Sequence, residues 1–143
     1  MMRKTVLVLG LFAAVAAWPV AQAAVVDYKA ALGGAAEVPP VTTGGTGKAQ
    51  VNVDAATGMA TWRIDYSGLS GPAAAAHIHC GALPGANAGV SVTLGAGPTA
   101  ASPIQGSGMM TPAQLADLSA GKCYVNVHTA ANKGGEVRGQ LIP

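Results

Sequence analysis

Residues 48–66, KAQVNVDAATGMATWRIDY, carry the clearest structural signal in the chain. Apolar and polar side chains alternate in both halves of this segment, which is the pattern of a half-buried β-strand. The apolar positions are Ala49, Val51 and Val53 in the first half and Trp62, Ile64 and Tyr66 in the second. A short loop that contains Gly58 joins the halves, so the segment predicts an antiparallel hairpin.

The rest of the chain resembles this hairpin in its short apolar runs and frequent breaks. Twenty glycines and nine prolines indicate many turns, which favours an all-β domain. Further strands are predicted at residues 24–32, 75–80, 90–94, 123–129 and 136–142, and residues 95–108 are predicted to be irregular. About seven strands in one domain predict a Greek-key β-sandwich or barrel.

One helix is predicted, at residues 112–120. Thr111 is a suitable N-cap, Pro112 occupies the first helical position, and Gln114 completes a capping box. Gly121 is a natural C-terminal stop. We therefore expect a short helix that connects two strands.

Residues 1–23 have the pattern of a bacterial secretory signal peptide. Arg3 and Lys4 precede an apolar run, and Ala21-Gln22-Ala23 supplies a small-x-small cleavage signal. The apolar run is shorter than the roughly 20 residues of a membrane span. We therefore expect a single mature domain at residues 24–143, periplasmic or secreted, with no membrane anchor after cleavage.

The charge balance of that domain excludes one class of partner. Without Arg3 and Lys4, six basic residues face six acidic ones, so the net charge is near zero. A nucleic-acid partner would require a basic patch, and we expect none. The sequence leaves an extracellular protein or a glycan as the possible macromolecular partner.

The reactive side chains are concentrated in two predicted strands. On a strand, side chains two residues apart point the same way. Residues 76–80 and 123–129 each place a cysteine with aliphatic residues and histidines on the reverse face. The histidine faces hold His77 and His79 in the first strand, and Tyr124, Asn126 and His128 in the second.

A disulfide between Cys80 and Cys123 would bring these two faces together. Two cysteines in an exported domain usually pair, although two buried thiols are the alternative. In an antiparallel register the opposed pairs would be Cys80–Cys123, His79–Tyr124 and His77–Asn126. His128 would then lie diagonal to His77, within reach of a shared ion. A bond directly across a ladder is demanding, because it requires Cβ atoms about 4 Å apart.

Three imidazoles on one face form a candidate metal site. Imidazole suits copper, zinc, iron and nickel, and three protein ligands leave a position open for chemistry. Water or Glu37 could provide a fourth ligand. The alternative is that the histidines are solvated or hydrogen-bonded to Asn126 and Tyr124. Hydrolase chemistry fits poorly, since no serine lies in a nucleophile-elbow motif and the six carboxylates are scattered.

Four segments resemble the signature segments of the CHRD domain, a family named for repeats in the secreted regulator chordin and common as a single exported bacterial domain. These are GGAAEVPPV at 33–41, GLSGPAAAAHIHCG at 68–81, TPAQLADLSAGK at 111–122 and YVNVHTAANKGGEVRGQL at 124–141. The resemblance implies a β-rich fold similar to the Greek-key barrel of copper/zinc superoxide dismutases. Those enzymes also bind copper through a His-x-His strand. Cys80 is not part of the usual CHRD pattern.

The resemblance also implies roles for individual residues. His77, His79 and His128 match the motif histidines, which favours copper and possible redox or superoxide-related chemistry. Three histidines are too few for the copper and zinc ligands of a full dismutase. The remaining signature positions are Glu37, Asn126, Asn132, Glu136 and Arg138. For Glu37 and Arg138 we expect a buried ion pair that fixes the long loop, and for Asn132 a tight turn.

Overall fold

The computed structural model describes residues 24–143, so the predicted signal peptide at residues 1–23 lies outside the described part. It contains eight strands and one α-helix. The strands are β1 (Val25–Gly33), β2 (Thr46–Asp54), β3 (Met59–Ser67), β4 (Ala73–Cys80), β5 (Val90–Ala96), β6 (Ile104–Met109), β7 (Cys123–Thr129) and β8 (Val137–Gln140). The helix, α1, is Pro112–Ser119.

All the strands belong to one antiparallel sheet in the order β5-β4-β7-β8-β1-β2-β3-β6. The outermost strands, β5 and β6, contact each other, so the sheet is nearly closed into a barrel. The chain passes from β3 to β4 across β6 and β5, and from β6 to β7 across β5 and β4. These crossing connections confirm the predicted all-β Greek-key architecture.

The inward faces of the strands form one hydrophobic core. Its completely covered members include Val51, Ile64, Ile78, Val125 and Val127. The predicted hairpin is present as β2 and β3, in which Val51 lies opposite Trp62. The apolar positions of the opening segment therefore face the interior, as their alternation predicts.

The prediction that residues 95–108 are irregular is wrong, because β5 extends into this segment and all but the last residue of β6 lies in it, paired with β3. Gly106 and Gly108 pack against the indole ring of Trp62 from β3. The large ring fills the space that side chains would otherwise occupy, and a Cβ at Gly106 would lie only 2.8 Å from it. Glycines in a strand often mark such a close approach of another group. In the sequence alone, however, several glycines in a short segment predict a loop.

The helix prediction is confirmed, including its capping box. Gln114 N donates to Thr111 Oγ1 (3.3 Å), and Thr111 N donates to Gln114 Oε1 (2.8 Å). Leu118 is the side chain that the helix buries most completely. Within residues 24–143, no helix is both long enough and apolar enough to cross a membrane.

The outer face of β4, β7 and β8 is covered instead of solvated. The loop at residues 81–89 folds across it: Ala88 N donates to the Tyr124 hydroxyl (3.2 Å), and Arg138 donates to Ala86 O (2.7 Å). The loop between β1 and β2 meets this cover where Asn87 Nδ2 donates to Val38 O (2.8 Å). Polar side chains on this face are consequently buried, and the candidate site lies among them.

Candidate metal centre

The register between β4 and β7 brings the histidines together. The structure pairs Cys80 with Cys123, His79 with Tyr124, and His77 with Asn126. His128 lies opposite Ala75, so it is diagonal to His77 across the ladder. This is the antiparallel register predicted from the cysteine and histidine faces, and it places all three imidazoles on one outer face.

Cys80 and Cys123 form the expected disulfide, with their Cα atoms 4.1 Å apart. Cys80 ends β4 and Cys123 begins β7, so the bond closes the ladder at its end. Cys123 is fully buried against the core, whereas Cys80 is half-buried. The bond lies one rung beyond the His79–Tyr124 pair and is therefore adjacent to the histidine cluster.

His128 is oriented by a backbone carbonyl. Its Nδ1 lies 2.9 Å from Lys133 O, in the turn between β7 and β8. Since a carbonyl only accepts, Nδ1 carries the hydrogen and the lone pair is on Nε2. That Nε2 lies 3.0 Å from His77 Nδ1, which therefore donates to it. A carbonyl partner behind the ring is the usual second contact of a metal-binding histidine.

His79 is held in a similar way from the other side. Its Nδ1 lies 2.9 Å from Ala88 O, which leaves the lone pair of a neutral ring on Nε2. Nε2 lies 3.0 Å from Asn126 Oδ1, while Asn126 Nδ2 donates to Gly134 O (3.3 Å). A lone pair directed at an oxygen is unfavourable. The Asn126 contact is thus the one that an ion bound to Nε2 would replace.

The three candidate ligand nitrogens lie within 4.8 Å of one another. Around one ion with nitrogens at about 2.0–2.1 Å, tetrahedral ligands are about 3.4 Å apart. Closing the cluster onto an ion therefore requires the nitrogens to approach one another by roughly 1 Å, and His77 must also present a lone pair in place of its Nδ1 hydrogen. The donor set fits a transition metal, since it consists of imidazole nitrogen alone.

The electrostatics keep two of the rings neutral at pH 7. Burial, together with the neighbouring His128 and His79, lowers the pKa of His77 to about 4. Burial also lowers the pKa of His128, and His79 acts in the same direction, whereas the bond to Lys133 O opposes them. Neutral imidazole is the form that binds metal, because each ligand nitrogen must offer a lone pair.

Tyr124 is a member of the site that the sequence suggested only as a possible hydrogen-bond partner. Its ring stacks on His79, with centroids 4.8 Å apart and an interplanar angle of 6°. The guanidinium carbon of Arg138 lies 3.4 Å from the centroid of the same ring. Because β4 and β8 flank β7, His79 and Arg138 approach Tyr124 from opposite sides. The period-2 pattern could place Tyr124 on this face but not show this stack.

The expected ion pair between Glu37 and Arg138 is absent. In the described part of the chain, the ion pairs are Lys29–Asp27 and Arg63–Asp65, both exposed. Arg138 instead donates to Asn87 Oδ1 (2.9 Å) and Ala86 O (2.7 Å). The covering loop thus supplies the hydrogen-bond acceptors of Arg138 in place of the Glu37 carboxylate. Glu37 also lies outside the histidine cluster, so it is not the fourth ligand considered above.

Glu136 and Asn132 have a structural role next to the site. The fully buried Glu136 carboxylate accepts five hydrogen bonds from four residues, and no cation of residues 24–143 pairs with it. The donors are Thr43 Oγ1 (2.6 Å), Ser70 N (2.7 Å), Ser70 Oγ (2.6 Å), Thr129 Oγ1 (2.6 Å) and Asn132 Nδ2 (3.0 Å). They come from the β1–β2, β3–β4 and β7–β8 loops and from the end of β7. One carboxylate therefore links these segments at one end of the barrel.

The tight turn expected at Asn132 is present. Gly135 N donates to Asn132 O (3.1 Å), and Gly135 has a φ of 128°, a conformation that favours glycine. A Cβ at Gly135 would collide with Glu37 and with Asn126. The turn also presents Lys133 O to His128, so it positions a candidate ligand.

An eight-stranded Greek-key barrel with three clustered imidazoles defines this protein as a small all-β domain with a candidate metal centre. The family model described as the CHRD domain matches residues 28–141. The chain therefore belongs to the CHRD domain family. The matched region includes the three histidines and the disulfide. Neither the curated proteins nor the solved structures contain a significant match to the chain.

Proposed function

We propose that this CHRD domain binds one transition-metal ion, preferably copper, through His77, His79 and His128. The observation that carries the proposal is the convergence of all three histidines of the chain within 4.8 Å on one outer face. Backbone carbonyls already orient His79 and His128, which leaves the Nε2 atoms as the candidate ligand atoms: that of His128 faces His77, and that of His79 faces Asn126 Oδ1. Such outer contacts fix the tautomer and the direction of a ligand.

Copper is favoured by the chemistry of the donors. Among divalent first-row metals, copper binds nitrogen ligands most strongly. Calcium and magnesium require oxygen donors, and the cluster contains no carboxylate. Both cysteines are consumed by the disulfide, so no thiolate is present within residues 24–143 to select a softer ion.

The site would support ligand exchange at the metal. Three protein ligands leave at least one position for a small molecule, and His77 is only half-buried, so the cluster is accessible. Bound copper would supply one-electron chemistry, including reaction with superoxide. The role of the protein is to hold the imidazoles by means of the β4–β7 register, Lys133 O and Ala88 O.

The proposed setting is the periplasm or the extracellular space, with residues 24–143 as the mature domain. Two features support this: the signal-peptide pattern of residues 1–23, and the disulfide, which persists in oxidising compartments. N-terminal sequencing of the protein recovered from the periplasm tests it, with Ala24 expected as the first residue.

A second function is favoured by a different observation. His77 already donates to His128, and backbone carbonyls hold His79 and His128, so the rings can stabilise the sheet without an ion. In that case the domain is a metal-free extracellular module that recognises a protein or a glycan. The two functions differ in whether the purified protein takes up metal.

Copper titration of metal-free protein purified from the periplasm distinguishes the two functions. We expect uptake of one equivalent, measured by elemental analysis after gel filtration. His128→Ala should weaken copper affinity at least about tenfold. Gln50→Ala, an exposed change on a distant strand, is the matched control and should leave the affinity unchanged.

Failure to take up copper would reject the metal-binding function. Uptake of less than about a tenth of an equivalent at pH 7 would reject the metal site, since the lowered pKa values of His77 and His128 leave these two ligands neutral there. If His128→Ala lowers thermal stability but leaves copper affinity unchanged, the histidines are structural. The metal-free module would then be the function to pursue.

A further inference from the structure

The two hydrogen-bond partners of His79 require opposite tautomers of its neutral ring. Nδ1 faces Ala88 O (2.9 Å), and Nε2 faces Asn126 Oδ1 (3.0 Å). Each oxygen accepts a hydrogen, but a neutral imidazole carries only one N–H. Turning the Asn126 amide over would direct its oxygen at Gly134 O, to which Nδ2 now donates (3.3 Å). The two acceptors therefore compete for one hydrogen, and only the Nδ1–H form leaves a lone pair on Nε2.

Tyr124 holds the acceptor that favours the Nδ1–H form. Its hydroxyl accepts from Ala88 N (3.2 Å) and makes a longer contact, as donor, to Ala88 O (3.4 Å). Ala88 belongs to the loop at residues 81–89, which contains no strand or helix that would fix its carbonyl. The Tyr124 hydroxyl thus keeps Ala88 O in position to accept from His79 Nδ1.

The ring of Tyr124 also fixes the plane of the His79 ring. The two residues are opposed in the β4–β7 ladder, both are buried, and their stacked rings are 4.8 Å apart at 6°. Arg138 covers the other face of the Tyr124 ring at 3.4 Å and donates to the two residues that precede Ala88. Each of the three stacked side chains is therefore hydrogen-bonded to residues 86–88.

We propose that Tyr124 is a positioning residue for His79. It selects the Nδ1–H tautomer by holding Ala88, and it fixes the ring plane by stacking. The purpose of this arrangement rests on the proposed metal binding, because a ligand nitrogen must offer a lone pair and this tautomer offers that of Nε2. Without the hydroxyl, Ala88 O is free to move away, and His79 then donates Nε2–H to Asn126 Oδ1. That form has no lone pair on Nε2 for an ion.

The tautomer ratio of His79 tests the proposal in metal-free protein. Long-range ¹H–¹⁵N NMR measures it at about pH 8, where imidazole is neutral. We expect the Nδ1–H form in the parent protein. Tyr124→Phe keeps the stacked ring and removes only the hydroxyl, so it should shift the ratio at least about threefold toward Nε2–H. Tyr124→Leu also removes the stack and should shift the ratio further.

Copper affinity is then measured in the same proteins. We expect Tyr124→Phe to weaken it about threefold, and Tyr124→Leu at least about tenfold, as for other groups that orient a ligand. Tyr66→Phe is the matched control, because it removes a hydroxyl that donates to Ala100 O (2.7 Å) at another place in the barrel. It should leave both the tautomer ratio and the copper affinity unchanged. A variant that is only less stable would likewise keep the parent ratio in its folded state.

Three outcomes would overturn the proposal. The first is a parent His79 in the Nε2–H form, and the second is an unchanged tautomer ratio in Tyr124→Phe, which also decides the case if Tyr124→Leu does not fold. The third is an unchanged copper affinity in a variant whose ratio has shifted. If the parent protein takes up no copper, the proposed metal binding fails instead, and the tautomer ratio still shows whether Tyr124 positions His79.

Discussion

His77 Nδ1 lies 3.0 Å from His128 Nε2, so two candidate ligands are joined by a hydrogen bond. His128 donates its other ring N–H to Lys133 O, which makes His77 the donor in this bond. The bond holds the two rings in an edge arrangement, with an interplanar angle of 62°, without an ion. For both rings to bind one metal ion, this hydrogen must leave or His77 must rotate to offer Nε2.

The first prediction is that His77 stays neutral in mildly acidic solution. Burial, with His128 and His79 close by, lowers the pKa of His77 to about 4. In long-range ¹H–¹⁵N NMR spectra of metal-free protein we expect the neutral Nδ1–H form from pH 8 to about pH 5. Titration of His77 above about pH 6 would contradict the geometry.

The same group adds a pH dependence to stability. The unfolded chain takes up a proton on His77 near pH 6.5, whereas the folded chain does so only near pH 4. The unfolded state therefore binds more protons in this window, and the free energy of unfolding decreases as the pH falls from 6.5 to 4. His77→Asn should remove this part of the dependence in urea denaturation curves.

The second prediction concerns the disulfide. Cys80 and Cys123 are 43 residues apart in the sequence. Removing a disulfide that closes a loop of this size lowers the free energy of unfolding by up to about 4 kcal/mol. Cys80→Ala combined with Cys123→Ala should show a loss of this order in urea denaturation. The β4–β7 ladder retains its other pairs, from Ala73 to His79, so the histidines should stay together.

Copper titration of the same double variant completes the test. If the register alone holds the site, copper affinity should change less than about threefold under folding conditions. A loss of a hundredfold in the folded variant would show that the disulfide itself positions the ligands. Protein with both cysteines intact, measured with and without reductant, is the control.

The β4–β7 register could be predicted because period-2 alternation and one covalent bond determine it together. Cys80 opposite Cys123 leaves one antiparallel register, and His77, His79 and His128 then share a face. What could not be predicted was the cover over that face. Residues 81–89 read as an ordinary turn, yet they bury Arg138 and supply its hydrogen-bond acceptors. Contacts made by irregular backbone leave no periodic pattern in the sequence.

β6 was missed for a related reason, and it provides the third prediction. Gly106 faces Trp62, and a Cβ there would lie 2.8 Å from the ring. Gly106→Ala should therefore decrease the free energy of unfolding by about 1–3 kcal/mol. Gly71→Ala is the matched control, because no atom lies within 4 Å of its added Cβ and its φ is not positive. Equal stability of both variants would contradict this packing.

The fourth prediction is that Glu136 stabilises the barrel as a charged acceptor. Its carboxylate receives five hydrogen bonds, three of them from Ser70 and Thr129. Glu136→Gln keeps the shape but replaces one acceptor oxygen by a donor that faces other donors. We expect a loss of about 2–4 kcal/mol in the free energy of unfolding. Asp65→Asn breaks an exposed ion pair and should cost less than about 1 kcal/mol.

The pH dependence separates the charge of Glu136 from its packing. Burial raises its pKa, but the hydrogen bonds from Ser70, Thr129 and Thr43 outweigh burial and lower the pKa to about 2. The unfolded carboxyl takes up a proton near pH 4.5, so the stabilisation is complete above this value and is lost as the pH falls from 4.5 to 2. Glu136→Gln should therefore have a flatter stability profile between these values than the parent protein. A parallel profile would mean that the carboxylate is not charged in the fold.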